Sequence, residues 1–182
     1  MFKANAVCIL FSLVLLAGCS SSPKVAAPSV GADAQYTINN FTFNLIKKRE
    51  VEGYATQEEL SHITHDLIVS ELKEGGILAD AADAQAVPLS ITINYQRRFT
   101  GEDSPFPSKS VTSPIVGYTI IALEDGAEKA RISKAGLTAN RGFLANLKTV
   151  ATMDIGNDSK VEEADIQRVA KTIVAELQKL RQ

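Results

Sequence analysis

Cysteine is nearly absent from this chain. Its 182 residues hold two, Cys8 and Cys19, and none follows. From residue 20 onward there is no disulfide, no thiolate nucleophile and no thiolate metal ligand. Histidine is equally scarce, with only His62 and His65. Neither a Gly-x-Ser-x-Gly nucleophile elbow nor a Gly-x-x-x-x-Gly-Lys phosphate loop occurs, so two motif-bearing routes to catalysis lack their signature. An excess of one charge is missing too. The 19 Lys and Arg stand against 21 Asp and Glu, which leaves no electrostatic footprint for nucleic acid. These absences point to a non-enzyme with no cofactor, no bound metal and no nucleic-acid partner.

The amino-terminal segment carries the sharpest signal. Lys3 supplies a positive start, and Ala6 to Ala17 then run apolar with only Ser12 interrupting. At about 12 residues this run falls short of the ~20 a spanning helix needs, and it fits the apolar region of a secretory signal. It closes on Leu16-Ala17-Gly18-Cys19. That ending resembles the lipobox of bacterial lipoproteins. The resemblance implies cleavage before Cys19, a thioether-linked diacylglycerol on its sulfur and acylation of its new amino group. More than one acyl chain makes such attachment stable, each buried methylene contributing about 0.8 kcal/mol. Ser20 in place of Asp implies, by the sorting rule of enteric-type bacteria, the periplasmic face of the outer membrane. Loss of residues 1–18 removes Lys3 and leaves a net charge near −3.

Three regions follow from composition: a signal peptide over 1–18, the lipidated cysteine and a flexible linker over 19–34, and one domain over 35–182. Ser20 to Ala34 is rich in Ser, Pro, Ala and Gly, the composition of a flexible tether. The remainder is long enough for a single core. Gln35 to Lys48 reads as a strand in which Phe41, Phe43 and Leu45 alternate with polar residues. Ile38 lies out of that phase, so Asn39-Asn40 is expected to form a bulge or turn. Thr56 to Gly75 reads as a helix opened by a Thr56/Glu59 capping box and closed by Gly75-Gly76. Its expected stripe is Leu60, Ile63 and Leu67, widened by Ile68 and Leu72.

Val87 to Phe99 is the strongest strand, with Val87, Leu89, Ile91, Ile93, Tyr95 and Phe99 on one face and Ser90, Thr92, Asn94, Gln96 and Arg98 on the other. Such alternation means one covered and one wetter face. Ile115 to Leu123, apolar on both faces, is expected at the centre of the sheet. Glu124-Asp125-Gly126 signals a turn into a fourth strand, Glu128 to Leu137. Phe143 to Met153 fits helix or strand. A Ser159/Glu162 capping box then opens a helix whose stripe is Ile166, Val169, Ala170, Ile173, Leu177 and Leu180. The order β-α-β-β-β-α predicts an α+β two-layer sandwich, with a mainly antiparallel four-stranded sheet and two helices on one face. Small lipoproteins of bacterial envelopes and auxiliary subunits of envelope transport systems are similar in element order.

Candidate functional residues are few. His62 and His65 share a helix face at i, i+3, with Glu58 and Asp66 one turn either side of His62. That spacing suits a metal pair or a small-ligand or hydrolytic site, and equally a solvated face with charge pairing. Arg97 and Arg98 end the long strand. Together with Lys129, Arg131, Lys134, Arg141 and Lys148 they form a candidate anionic-partner patch, interspersed with Glu102, Asp103, Glu124, Asp125 and Glu128. Thr100 to Ser113 joins two strands by about 14 residues, where a hairpin needs two to five. It holds Phe106 between Pro105 and Pro107. Proline blocks strand pairing, and long ordered loops often carry function. Cys19 is thus the expected lipidation site, and Phe106, Arg97 and Arg98 are the expected contacts to an envelope protein partner. The function expected is that of a membrane-anchored, non-catalytic accessory module; the alternative uses the His62/His65 face.

Overall fold

The computed structural model describes residues 29–80, 83, 85–138 and 158–182. The expected signal segment, Cys19, most of the linker, and Phe143–Met153 with Arg141 and Lys148 lie outside the described residues.

Strand β1 (Tyr36–Ile46) leads into helix α1 (Gln57–Glu74), which returns the chain to the start of β2 (Val87–Phe99). A helical crossover of this kind places its two strands side by side and parallel, and β1 pairs parallel with β2. The pairing shifts register between Ile38 and Asn40, where the phase of the apolar residues breaks. β3 (Val111–Glu124) and β4 (Ala127–Thr138) then add antiparallel, giving the order β1-β2-β3-β4. The β3–β4 turn places Asp125 at φ 52° and Gly126 at φ 78°. Positive φ at both central positions is what a two-residue type I′ hairpin requires.

α1 begins as the sequence predicts. The Thr56 hydroxyl accepts from the Glu59 N–H at 3.2 Å, and the Thr56 N–H donates to the Glu59 carboxylate at 2.7 Å. That Thr56 N–H, and then the Thr56 hydroxyl donating to the same carboxylate at 3.1 Å, hold the Glu59 carboxyl below its ordinary pKa. The buried stripe is rotated from expectation. It consists of Leu60, Thr64, Ile68 and Leu72, while Ile63 is exposed. Thr64 tolerates burial because its hydroxyl donates to the Leu60 carbonyl at 2.5 Å, so no polar group is stranded.

The last helix, α2 (Asp158–Lys179), buries Ile166, Val169, Ala170, Ile173 and Leu177, with Leu180 just beyond its end. α1 packs on α2 and β1, and α2 also packs on β3. The core lies between this helical layer and one face of the sheet. It takes in Leu89, Ile91, Ile93 and Tyr95 of β2 with Val116, Tyr118, Ile120 and Ala122 of β3. The result is an α+β fold with a mixed sheet, two of its three strand pairings being antiparallel.

The two ends of the molecule differ. At one end β1 begins, α2 ends and the amino-terminal chain arrives. There the Val30 N–H donates to the Leu180 carbonyl at 2.9 Å, and the Tyr36 hydroxyl donates to the Leu177 carbonyl at 3.0 Å. Burial pushes the Tyr36 phenol up to about 12. At the opposite end β1 finishes beside the junction of β2 and β3.

Candidate functional site

That far end carries the loop between β2 and β3. β3 starts at Val111 rather than Ile115, so the loop is residues 100–110. Proline was expected to keep 111–114 out of the sheet. Instead the register shifts opposite Gln96 and Arg98, giving β3 one extra residue near Pro114. A bulge is where a strand accommodates a residue that cannot donate.

The loop is fastened at its base. Thr100 N–H donates to Ser110 O and Ser108 N–H to Thr100 O, both at 2.9 Å. The β1–α1 connection supplies further ties. The Tyr54 hydroxyl donates to Lys109 O at 2.6 Å, the Arg49 guanidinium donates to Ser108 O, and the Lys48 ammonium meets Asp103 at 2.9 Å. That contact raises the Lys48 pKa, chiefly through its hydrogen bond to Asp103. Beneath these ties the Tyr54 ring stands edge-on to Phe99 at 5.3 Å, and Arg49 lies over the Phe99 ring at 4.6 Å. Two aromatic rings of the chain therefore anchor the base, while a third is left out. Phe106 is 91% exposed, a large apolar side chain in water at the tip of a tied loop.

The two arginines expected beside it have separate fates. Arg98 lies on the face of the sheet away from the helices, half-buried and opposite Thr112. Arg97 is 5% exposed and faces the helices. Its Nε and Nη2 donate to the two Glu162 carboxylate oxygens at 2.7 and 2.8 Å, and Nη2 also reaches Ala55 O at 2.6 Å. Arg97 is therefore not presented to a partner at the surface. It braces the β1–α1 connection, and through Tyr54 the base of the loop, from inside the molecule. Glu162 is not the capping residue the sequence suggested. α2 begins at Asp158, which places Glu162 a turn inside the helix with its carboxylate committed to Arg97.

Among the described residues the remaining cations of that set do not converge. Lys129 pairs with Glu124 and Arg131 with Glu128, each within the β3–β4 hairpin. Lys134 stands opposite Tyr118 on the helix side of the sheet.

His62 and His65 line a groove of about 580 Å³ between α1 and β1, with Phe41 and Phe43 as its apolar wall. Their Nδ1 atoms approach Asp66 at 2.8 Å and 3.4 Å, and the Phe41 ring meets His65 edge-on at 5.4 Å. Among the described residues no group of three His, Cys, Asp or Glu side chains is arranged to hold a metal ion. Asp66 thus takes up both imidazoles as a side-chain partner. The arrangement does what a charged helix face does.

No family model matches the chain, and no curated protein sequence matches it. Among solved structures it is similar to the PelC dodecamer from Paraburkholderia phytofirmans, at 20% identity over 78% of this chain and 92% of that one, with a TM-score of 0.33. It is also similar to the rare lipoprotein B from Shewanella oneidensis, at 16% identity over 74% of this chain and 97% of that one, with a TM-score of 0.23. Likeness at this level carries nothing about function.

Proposed function

We propose that this chain is a lipoprotein of the bacterial envelope, lipidated at Cys19, that works as a non-catalytic accessory module docking a protein partner through the Phe106 loop. The lipobox-like Leu16-Ala17-Gly18-Cys19 supports the anchor. Ser20 favours the periplasmic face of the outer membrane. The observation that carries the docking role is Phe106, 91% exposed on a loop whose base is tied at Thr100, Ser108 and Lys109. An exposed aromatic on a pre-ordered loop makes a low-entropy anchor, since its backbone is already fixed before a partner arrives. Arg98 sits near the base of the same loop, a second cation beside Lys48.

The test is a photo-crosslinking amino acid at position 106 in intact cells, with mass spectrometry of the adducts. One dominant envelope protein is expected, and Phe106→Ala should abolish that association while leaving the melting temperature unchanged. Adducts no different from background would overturn the reading.

A further inference from the structure

β1 is an edge strand, and its free side is interrupted in an informative way. In an extended strand the N–H and C=O of one residue point to the same side, and successive residues alternate. Tyr36 points outward, since its N–H donates to Ile77 O at 2.8 Å and its carbonyl accepts from Ala79 N–H at 2.9 Å. Leu45 also points outward, because its N–H donates to the Gln57 side-chain oxygen at 3.1 Å. Counting back by two places the N–H and C=O of Phe43 and Phe41 on the same outer side. Among the described residues nothing pairs with them there. Counting forward by two from Tyr36 likewise places Ile38 outward, so the edge is closed at both ends and, beyond the bulge, open over Phe41 and Phe43.

That opening is the floor of the groove already described. Its far wall is α1, which contributes Glu58, Ser61, His62 and Asp66. Among the described residues no lysine or arginine lines it. Open edges invite further strands and are ordinarily blunted by lysine, proline or a bulge. Here the bulge at Asn39 and the Gln57 amide blunt only the flanks.

We propose that this groove takes a short extended peptide segment of a partner protein by strand addition to Phe41–Phe43, with a Lys or Arg side chain set against Glu58. Main-chain bonds to two outward residues fix the segment, and side chains alternating along it give the selectivity. The closed ends limit it to a few residues. With Asp66 taken up by His62 and His65 and no lysine or arginine among the described lining residues, the Glu58 carboxylate selects basic segments over acidic ones. This surface is separate from the Phe106 loop and does not rest on the role proposed for it.

The experiment is panning of the purified protein against a phage-displayed library of random linear decapeptides, with enriched sequences synthesised and their binding measured by fluorescence anisotropy. Enriched peptides should carry Lys or Arg alternating with apolar residues. Their binding should slow amide hydrogen exchange at Phe41 and Phe43, and methylation of alternate peptide nitrogens should abolish it. Glu58→Lys should weaken binding by about tenfold or more, the milder Glu58→Gln should weaken it less, and Phe106→Ala should leave it intact. Failure to enrich any peptide would overturn the proposal, as would binders without basic bias or binders that leave exchange at Phe41 and Phe43 unchanged.

Discussion

The two faces of the sheet are made by the same strands, one residue apart, and they solve the problem of polar groups differently. On the covered face Ile91, Ile93 and Tyr95 are buried, and the one arginine in phase with them, Arg97, is matched by Glu162. On the open face the neighbours are Thr92, Asn94 and Arg98. Thr42, Thr92, Thr119 and Ser133 fall in one row across all four strands. These side chains bond laterally: Asn44 to Asn94 at 2.9 Å, and Thr119 with Ser133 at 3.1 Å. A group removed from water needs its partner built in, whereas one in water can exchange its neighbour for solvent. The covered face is therefore brittle to substitution and the open face tolerant.

The sharpest way to break this contrast is Arg97→Ala, which leaves Glu162 charged, buried and alone. It should cost about 3–5 kcal/mol of stability, measured by urea unfolding. Arg97→Met with Glu162→Leu should recover most of that loss, because no orphan charge remains. A single Arg97→Ala variant as stable as the parent would mean that water reaches the pair. Ile93→Ala comes next, at roughly 2–5 kcal/mol for a cavity in the packed layer.

A smaller effect concerns pH. The Tyr36 phenol, raised from its ordinary 10 to about 12 by burial, keeps its proton in the folded protein. Folding therefore loses stability as pH climbs from 10 towards 12, where the unfolded chain ionises first. A titration of phenolate absorbance should show a late component that shrinks in Tyr36→Phe and keeps a remainder from Tyr118, whose phenol burial also raises. On the open face Thr92→Ala should stay within about 0.5 kcal/mol of the parent. A larger loss there would mean that something covers this face in solution.

Much of this architecture can be read from the residues. The bounds of β2 follow from strict alternation, the start of α1 from Thr56 and Glu59, and the bulge in β1 from the misplaced Ile38. Arg97 is also legible in hindsight, because it stands two residues from Tyr95 and two from Phe99 and so must share their covered face. Its chemical character as an arginine suggests the surface, and its position in the alternation decides otherwise. What alternation cannot supply is the partner 65 residues away in sequence. Glu162 has the spacing of a cap, and only the packing of α2 on the sheet reassigns it. The open edge at Phe41 and Phe43 is similarly invisible, since the order of strands in a sheet is a tertiary fact. The rotation of the α1 stripe onto Thr64 has the same origin: a threonine that can satisfy itself on its own helix is a usable core residue.

The arrival of the chain at Val30, at the end of the domain remote from Phe106, sets a radius of action. On the proposed lipidation of Cys19, the chain from there to Val30 spans at most about 40 Å. β1, at 11 residues, adds about 36 Å more at ~3.3 Å per residue. Under that proposal an upright domain would hold Phe106 as far as roughly 75 Å from the anchoring bilayer, out of reach of the lipid and within reach of whatever stands across the gap.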